Sequence, residues 1–117
     1  MRALLALVLA SSPITSIGSP ALDLHCREAQ VRQIDPSTLQ VREYEGSTRY
    51  RFRDGKLFLA TSNRPEYLYG SLREPEPGRF IVGHKTIYFV HARSGQREAQ
   101  ISHVYKDEVR ISRAVCE

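Results

Sequence analysis

The chain of 117 residues carries 17 basic and 13 acidic residues, so its formal net charge at pH 7 is +4. This length suits one domain, and so small a charge excess argues against a nucleic-acid-binding protein. Lysine occurs only at Lys56, Lys85 and Lys106, and the arginine-rich balance is as typical of a GC-rich bacterial genome as of anion binding.

The first 21 residues have the layout of a secretory signal peptide. Arg2 precedes a short apolar run from Ala3 to Ala10, and small and turn-forming residues follow. The apolar run is too short to span a bilayer, which needs about 20 residues. We predict cleavage after Ala21, with cleavage after Gly18 and a buried N-terminal helix as the alternatives. Residues 22–117 would then form the mature domain.

The two cysteines, Cys26 and Cys116, lie near the two ends of this domain. An even cysteine count in an exported protein predicts a disulfide, here one that closes a loop of about 90 residues. A pair of metal or redox thiols is the alternative, but there is no C-x-x-C and only His25 is near either cysteine. His25 is also too large for a lipoprotein signal, so we predict no membrane anchor and a periplasmic or secreted location.

Between the cysteines, apolar and polar residues alternate and turn signals recur every ten or so residues. This pattern is typical of an all-β sandwich or barrel. Residues 39–44 are predicted to form a strand after a turn at Asp35-Pro36. Residues 29–34 are its partner strand or part of a short helix.

The segment TRYRFRDGKLFLA, residues 48–60, predicts a hairpin. Asp54-Gly55 is a two-residue turn of the type that needs positive φ at both positions. It pairs Arg53 with Lys56 and Phe52 with Leu57, and so places apolar residues on one face, which we predict to be core: Tyr50, Phe52, Leu57 and Leu59.

The opposite face of this hairpin is basic, with one aromatic residue among the charges. From it we predict a binding patch for a protein partner, because arginine and aromatic residues are enriched at interface hot spots; the patch comprises Arg49, Arg51, Arg53 and Phe58. Lys56 shares the face, and Arg51 is predicted to lie over the Phe58 ring. The alternatives are that another part of the chain covers this face or that it is ordinary solvated surface.

Residues 66–70 form another predicted strand, and the segment REPEPGR that follows is predicted to be a proline-stiffened loop between Leu72 and Phe80. Glu74 and Glu76 in this loop are a close carboxylate pair. Exposure would leave neither of them tuned for acid–base chemistry.

The segment FIVGHKTIYFVH, residues 80–91, opens a second hairpin. A loop at residues 93–95, with Gly95 in the left-handed conformation, would pair Lys85 with His103 and His91 with Arg97. It places a second set of apolar residues on one face: Ile87, Phe89, Ala99 and Ile101.

The histidines of this hairpin suggest a metal site, but the register argues against one. His84 points to the opposite face from His91, and His91 and His103 lie about 20 Å apart along the ladder. Ligands around one ion must be much closer. We therefore predict no metal site, with Gly83 marking a bend where His84 and Lys85 leave the sheet.

A last strand at residues 109–115 returns Cys116 to the first strand. We thus expect a single-domain, all-β antiparallel meander of seven or eight short strands, a small barrel or sandwich whose termini are tied by one disulfide.

The sequence contains no nucleophile motif, no Gly-rich phosphate loop and, once the disulfide forms, no free thiol. We therefore expect neither an enzyme nor a cofactor. The predicted role is an exported domain that binds a protein of the cell envelope or exterior, such as an inhibitor or envelope accessory protein. The alternative is a small-ligand carrier with a pocket inside a barrel, which large core residues disfavour.

Overall fold

The computed structural model describes residues 22–91 and 95–117, so the predicted signal peptide and the tip of the second hairpin at residues 92–94 lie outside the described residues. The described chain forms ten strands: β1 (Leu24–Ile34), β2 (Val41–Glu45), β3 (Arg49–Arg53), β4 (Lys56–Thr61), β5 (Arg64–Ser71), β6 (Arg73–Glu76), β7 (Arg79–Val82), β8 (Lys85–His91), β9 (Arg97–Tyr105) and β10 (Glu108–Cys116). Within residues 22–91 and 95–117 there is no helix long and apolar enough to cross a membrane.

All ten strands belong to one antiparallel sheet, ordered β5-β4-β3-β1-β10-β9-β8-β7-β6, with β2 paired to β1 off this path. Most neighbours are consecutive in sequence, so the predicted meander is confirmed, with two or three more strands than expected. The sheet curls until β5 approaches β7 without pairing to it. The fold is therefore a barrel that is nearly closed rather than a sandwich.

The long strand β1 organises the sheet because it pairs along both of its edges. Its N-terminal part, Leu24 to Arg27, pairs with β3, and its C-terminal part, from Gln30 to Ile34, pairs with β2. Strand β10 runs along the other edge, with an irregularity between Glu28 and Gln30. Residues 29–34 are therefore strand, and the alternative of a short helix is wrong.

The predicted disulfide joins Cys26 to Cys116. The two residues are direct cross-strand partners in the β1–β10 ladder, and both are buried in the core. The bridge therefore ties the first long strand to the last one.

Both predicted hairpins are confirmed with their registers. Asp54 and Gly55 have φ of 54° and 72°, and Arg53 pairs with Lys56 as the turn requires. In the second hairpin Gly95 has φ of 86°, and Lys85 pairs with His103.

The segment between Leu72 and Phe80 is not the loop that its prolines suggested. It forms β6 and β7, joined by a turn at Gly78, where φ is 84°. Pro75 is tolerated because β6 is the last strand of the sheet, where a missing backbone N–H costs no ladder bond on the free side. Glu74 Oε2 accepts a hydrogen bond from the Gly78 amide at 2.9 Å and so stabilises the turn.

The core fills the inside of the curled sheet. Six large side chains are less than 2% exposed or nearly so: Phe52, Phe80, Leu57, Ile87, Ile101 and Val31. Phe89 packs edge-on against Phe52 and Phe80, with ring centroids 5.1 and 5.7 Å away. The alternate residues of the same strands point outward, and the candidate site lies on that outer face.

Candidate functional site

The outer face of β1 and β3 presents a two-by-two array of basic side chains. Arg27 pairs with Arg49 and His25 pairs with Arg51 across the two strands. Directly paired residues of adjacent strands lie about 5 Å apart, and alternate residues along a strand lie about 7 Å apart. The register therefore holds three arginines and a histidine in two cross-strand pairs.

This array opens into a groove of about 760 Å³ on the outer face. Its lining includes the whole array and Arg64 at the start of β5, together with two carboxylates, Glu66 and Glu117. We call this feature the arginine groove. It lies outside the barrel, on the side of the sheet opposite the apolar core.

The carboxylates balance only part of the charge in the arginine groove. Arg51 Nη1 lies 3.9 Å from Glu66 Oε2, and the Arg64 guanidinium stacks 3.5 Å above the Tyr67 ring. No ion pair joins Arg27 or Arg49 to a carboxylate within the described residues. Both side chains are exposed, and like charges in direct cross-strand pairs oppose sheet pairing. The array therefore has no evident folding purpose.

Two of the four predicted patch residues, Arg49 and Arg51, line the arginine groove, whereas Arg53 and Phe58 lie beside it on the same face. Phe58 is half-buried, not fully solvent-facing. The guanidinium over its ring belongs to Arg53, at 5.7 Å from the ring centroid. The predicted Arg51 contact is therefore wrong, because Arg51 turns toward Glu66 on β5.

An apolar rim adjoins the basic array. Phe58 pairs with Leu68 of β5, and Leu68 is 54% exposed. Ala60 and Val115 supply further apolar surface within the groove. The outer face thus offers cationic groups and apolar contact area side by side.

Sequence reasoning missed His25, Arg27 and Arg64. The first two reach the site because β1 pairs with β3, a contact between strands separated by β2. Arg64 reaches it because β5 pairs with β4. The alternation of β1 around Cys26 was a usable signal, since it places His25 and Arg27 opposite the buried cysteine.

A second polar cluster lies on the inner face at one end of the barrel. Lys85, His103 and Arg110 are neighbours across β8, β9 and β10. Lys85 Nζ lies 3.2 Å from His103 Nδ1, and His103 Nε2 lies 3.8 Å from Glu108 Oε1. An ammonium group only donates, so neutral His103 accepts at Nδ1 and carries its proton on Nε2, toward Glu108.

Burial sets the protonation of this cluster. It lowers the pKa of Lys85 to about 8, and the charge of Arg110 acts in the same direction. Burial and the charges of Lys85 and Arg110 lower the pKa of His103 below its usual value. Lys85 is only 5% exposed, whereas the side chain of Glu108 is 40% exposed, so the cluster runs from the interior to the surface at this end of the barrel.

Glu28 is the buried carboxylate of the inner face. Its Oε1 accepts a hydrogen bond from the Thr48 amide at 3.3 Å, and its Oε2 accepts one from the Tyr50 hydroxyl at 3.2 Å. Burial, reinforced by the charge of Glu28, raises the pKa of Tyr50, so this phenol stays protonated and donates to Glu28.

Gly83 does mark a bend, with φ of 59°, and His84 lies outside β8 as a result, although Lys85 remains in the strand. The His84 ring lies 4.2 Å from the Tyr105 ring and 6.3 Å from the His103 ring. His91 stays at the far end of β8. Among residues 22–91 and 95–117, no group of three or more His, Cys, Asp or Glu side chains is placed to hold a metal ion.

No protein-family model, curated protein or solved structure matches this chain.

Proposed function

We propose that this protein binds another protein through the arginine groove and the adjoining Phe58–Leu68 rim. The observation that carries the proposal is the pair Arg27 and Arg49. They are exposed, directly opposed and without an ion-pair partner in the described chain, and they therefore cost folding free energy that partner binding would offset.

The disulfide and the N-terminal sequence pattern support a location for this binding. A disulfide is typical of proteins in oxidising compartments, and the N-terminal signal-peptide pattern directs the chain to the periplasm or the exterior. The partner is then a protein of the cell envelope or the surroundings, and the domain acts as an inhibitor or accessory protein.

The filled core supports this proposal over a small-ligand carrier. A barrel that carries a ligand needs interior space. Here the interior holds side chains that are at most 2% exposed, among them Phe52, Phe80 and Ile87. The groove with the basic array lies on the outside.

The proposal is tested by capture from an envelope extract with the mature protein, quantified by mass spectrometry. Arg51→Ala and Phe58→Ala are each expected to weaken retention of the partner by about 1–2 kcal/mol or more if the residue is a hot spot. Arg73→Ala is the matched control, because Arg73 is exposed and lies outside the groove lining.

Phe58→Ala separates binding from folding. Because Phe58 is half-buried, we expect its loss to cost no more than about 1 kcal/mol of stability in thermal unfolding. A fall of many degrees in Tm would show that the rim is a structural element. Unchanged retention of the partner by both Arg51→Ala and Phe58→Ala would refute the proposed function.

A further inference from the structure

The position of the charges in the arginine groove indicates what kind of protein segment it fits. The two cross-strand pairs, Arg27 with Arg49 and His25 with Arg51, follow one another along the strands. Their separation is two residues, or about 7 Å. The groove therefore offers two cationic positions at a fixed interval along one direction.

Alternate side chains of an extended peptide have the same spacing as the two cationic positions. Its side chains at positions i and i+2 project to one side, also about 7 Å apart. A carboxylate at position i would lie between Arg27 and Arg49, and one at position i+2 would lie between Arg51 and His25. Guanidinium groups match carboxylates well because two parallel N–H groups can donate to the two oxygens.

The Phe58–Leu68 rim favours a segment that also carries an apolar side chain. Phe58 pairs directly with Arg51, and Leu68 pairs with Phe58, so the apolar surface continues sideways from the second cationic position. Leu68 is 54% exposed. An apolar side chain at position i+4 projects to the same side of the peptide as the two acids and would lie nearest to this rim.

The carboxylates of the groove argue against a uniformly charged polymer. Glu66 and Glu117 line the same groove, and Glu66 lies 3.9 Å from Arg51. They would repel a chain that carries a negative charge at every unit, such as a sulfated glycan or polyphosphate. A segment with neutral residues between its acids avoids them.

We propose that the arginine groove recognises an extended protein segment with acidic residues at two alternating positions and an apolar residue at the next alternating position. This inference rests on the proposed function, and it names the chemistry of the partner. The neutral residues between the acids point away from the groove and carry no specificity.

Three fluorescently labelled synthetic peptides test it by anisotropy with the mature protein. The first has two glutamates at alternating positions and a leucine at the next alternating position, the second has the same composition with adjacent glutamates, and the third has glutamines in place of the glutamates. We expect the first to bind about five-fold or more tightly than either of the others, and its affinity to fall as salt screens the charges.

Substitutions of groove residues test whether the peptide binds in the arginine groove. Arg27→Ala and Arg49→Ala are each expected to weaken binding of the first peptide by about three- to five-fold, in the upper part of the range for an exposed ion pair. Arg73→Ala, which makes the same change in net charge, should have no effect. Thermal unfolding of each variant establishes that the fold is retained.

Equal binding of the two acidic peptides would overturn the proposal, because it would show that spacing is not read. So would tighter binding of heparin or polyphosphate that depends on the same arginines. If no peptide binds while capture from the envelope extract still depends on Arg51, this inference fails and the proposed function stands. If capture is also unaffected, both fail.

Discussion

At the scale of single residues, the two faces of the sheet place basic side chains in opposite environments. On the outer face Arg27 and Arg49 remain in water, which screens their repulsion. On the inner face Lys85 and His103 are enclosed, so burial shifts their protonation toward the neutral form. Basic side chains are thus exposed on one side of the sheet and enclosed on the other.

The inner cluster predicts acid sensitivity. The pKa of His103 is lower in the folded protein than in the unfolded chain, so the unfolded chain binds the extra proton first. Stability should therefore rise with pH toward the unfolded value of about 6.5 and fall as the pH drops below it. His103→Gln, which keeps a polar side chain without titration, should reduce this fall.

Urea denaturation at pH 5.5 and pH 7.5 measures the effect. The groups that face His103 are Lys85, Arg110, Glu108 and His84, and none of them is altered by the substitution. His91→Gln serves as the control, because His91 is exposed at the other end of β8. A pH dependence identical in wild type and His103→Gln would contradict the prediction.

At the scale of the elements, closure of the barrel depends on the approach of β5 to β7. Gly70 of β5 pairs with the buried Leu57, so a side chain at position 70 would point into the barrel. A Cβ at this position would lie 2.8 Å from Cγ2 of Val82, a buried residue of β7. The missing side chain lets the two strands come together without a ladder between them.

Gly70→Ala should therefore lower the free energy of unfolding by about 1–3 kcal/mol through overpacking. Val82→Ala in the Gly70→Ala background removes the close contact. A double-mutant cycle by urea denaturation should then give a favourable coupling of about 0.5–3 kcal/mol. Strictly additive losses would show that the seam has room for another methyl group.

At the scale of the whole molecule, the disulfide joins β1 to β10 at one end of their shared ladder, from which the other strands extend on both sides. Cys26 and Cys116 are 90 residues apart in sequence and adjacent in the sheet. In the chain-entropy account, the bridge stabilises the fold by restricting the unfolded chain. Domains of this size obtain limited stability from their core alone, so such a link has a large relative effect.

Reduction of the native protein should lower its free energy of unfolding by on the order of 4 kcal/mol. The measurement is urea denaturation with and without reductant, since reduction leaves the core composition unchanged. Intact mass of exported, non-reduced protein should be two hydrogens below that of the reduced chain. Two thiols that react with a labelling reagent in native material would contradict the bond itself.

Local signals made much of this architecture predictable. Asp54-Gly55 and the loop predicted to end at Gly95 each determine a hairpin register within a few residues, because turn geometry and alternation constrain the same pairing. Two cysteines leave only one possible intramolecular bridge. These features depend on neighbours in sequence or on simple counting, and so they can be read without coordinates.

Non-local pairing decided the rest. The hairpin predicted Arg49 and Arg51 on one face, but only the β1–β3 ladder brings His25 and Arg27 beside them and makes an array. The segment REPEPGR carries strong loop signals, yet its first four residues form the edge strand β6, where no neighbour on the free side requires the missing N–H of Pro75. Local preferences are weak compared with the burial and hydrogen bonding of a whole sheet, so the tertiary structure determined where the charges meet.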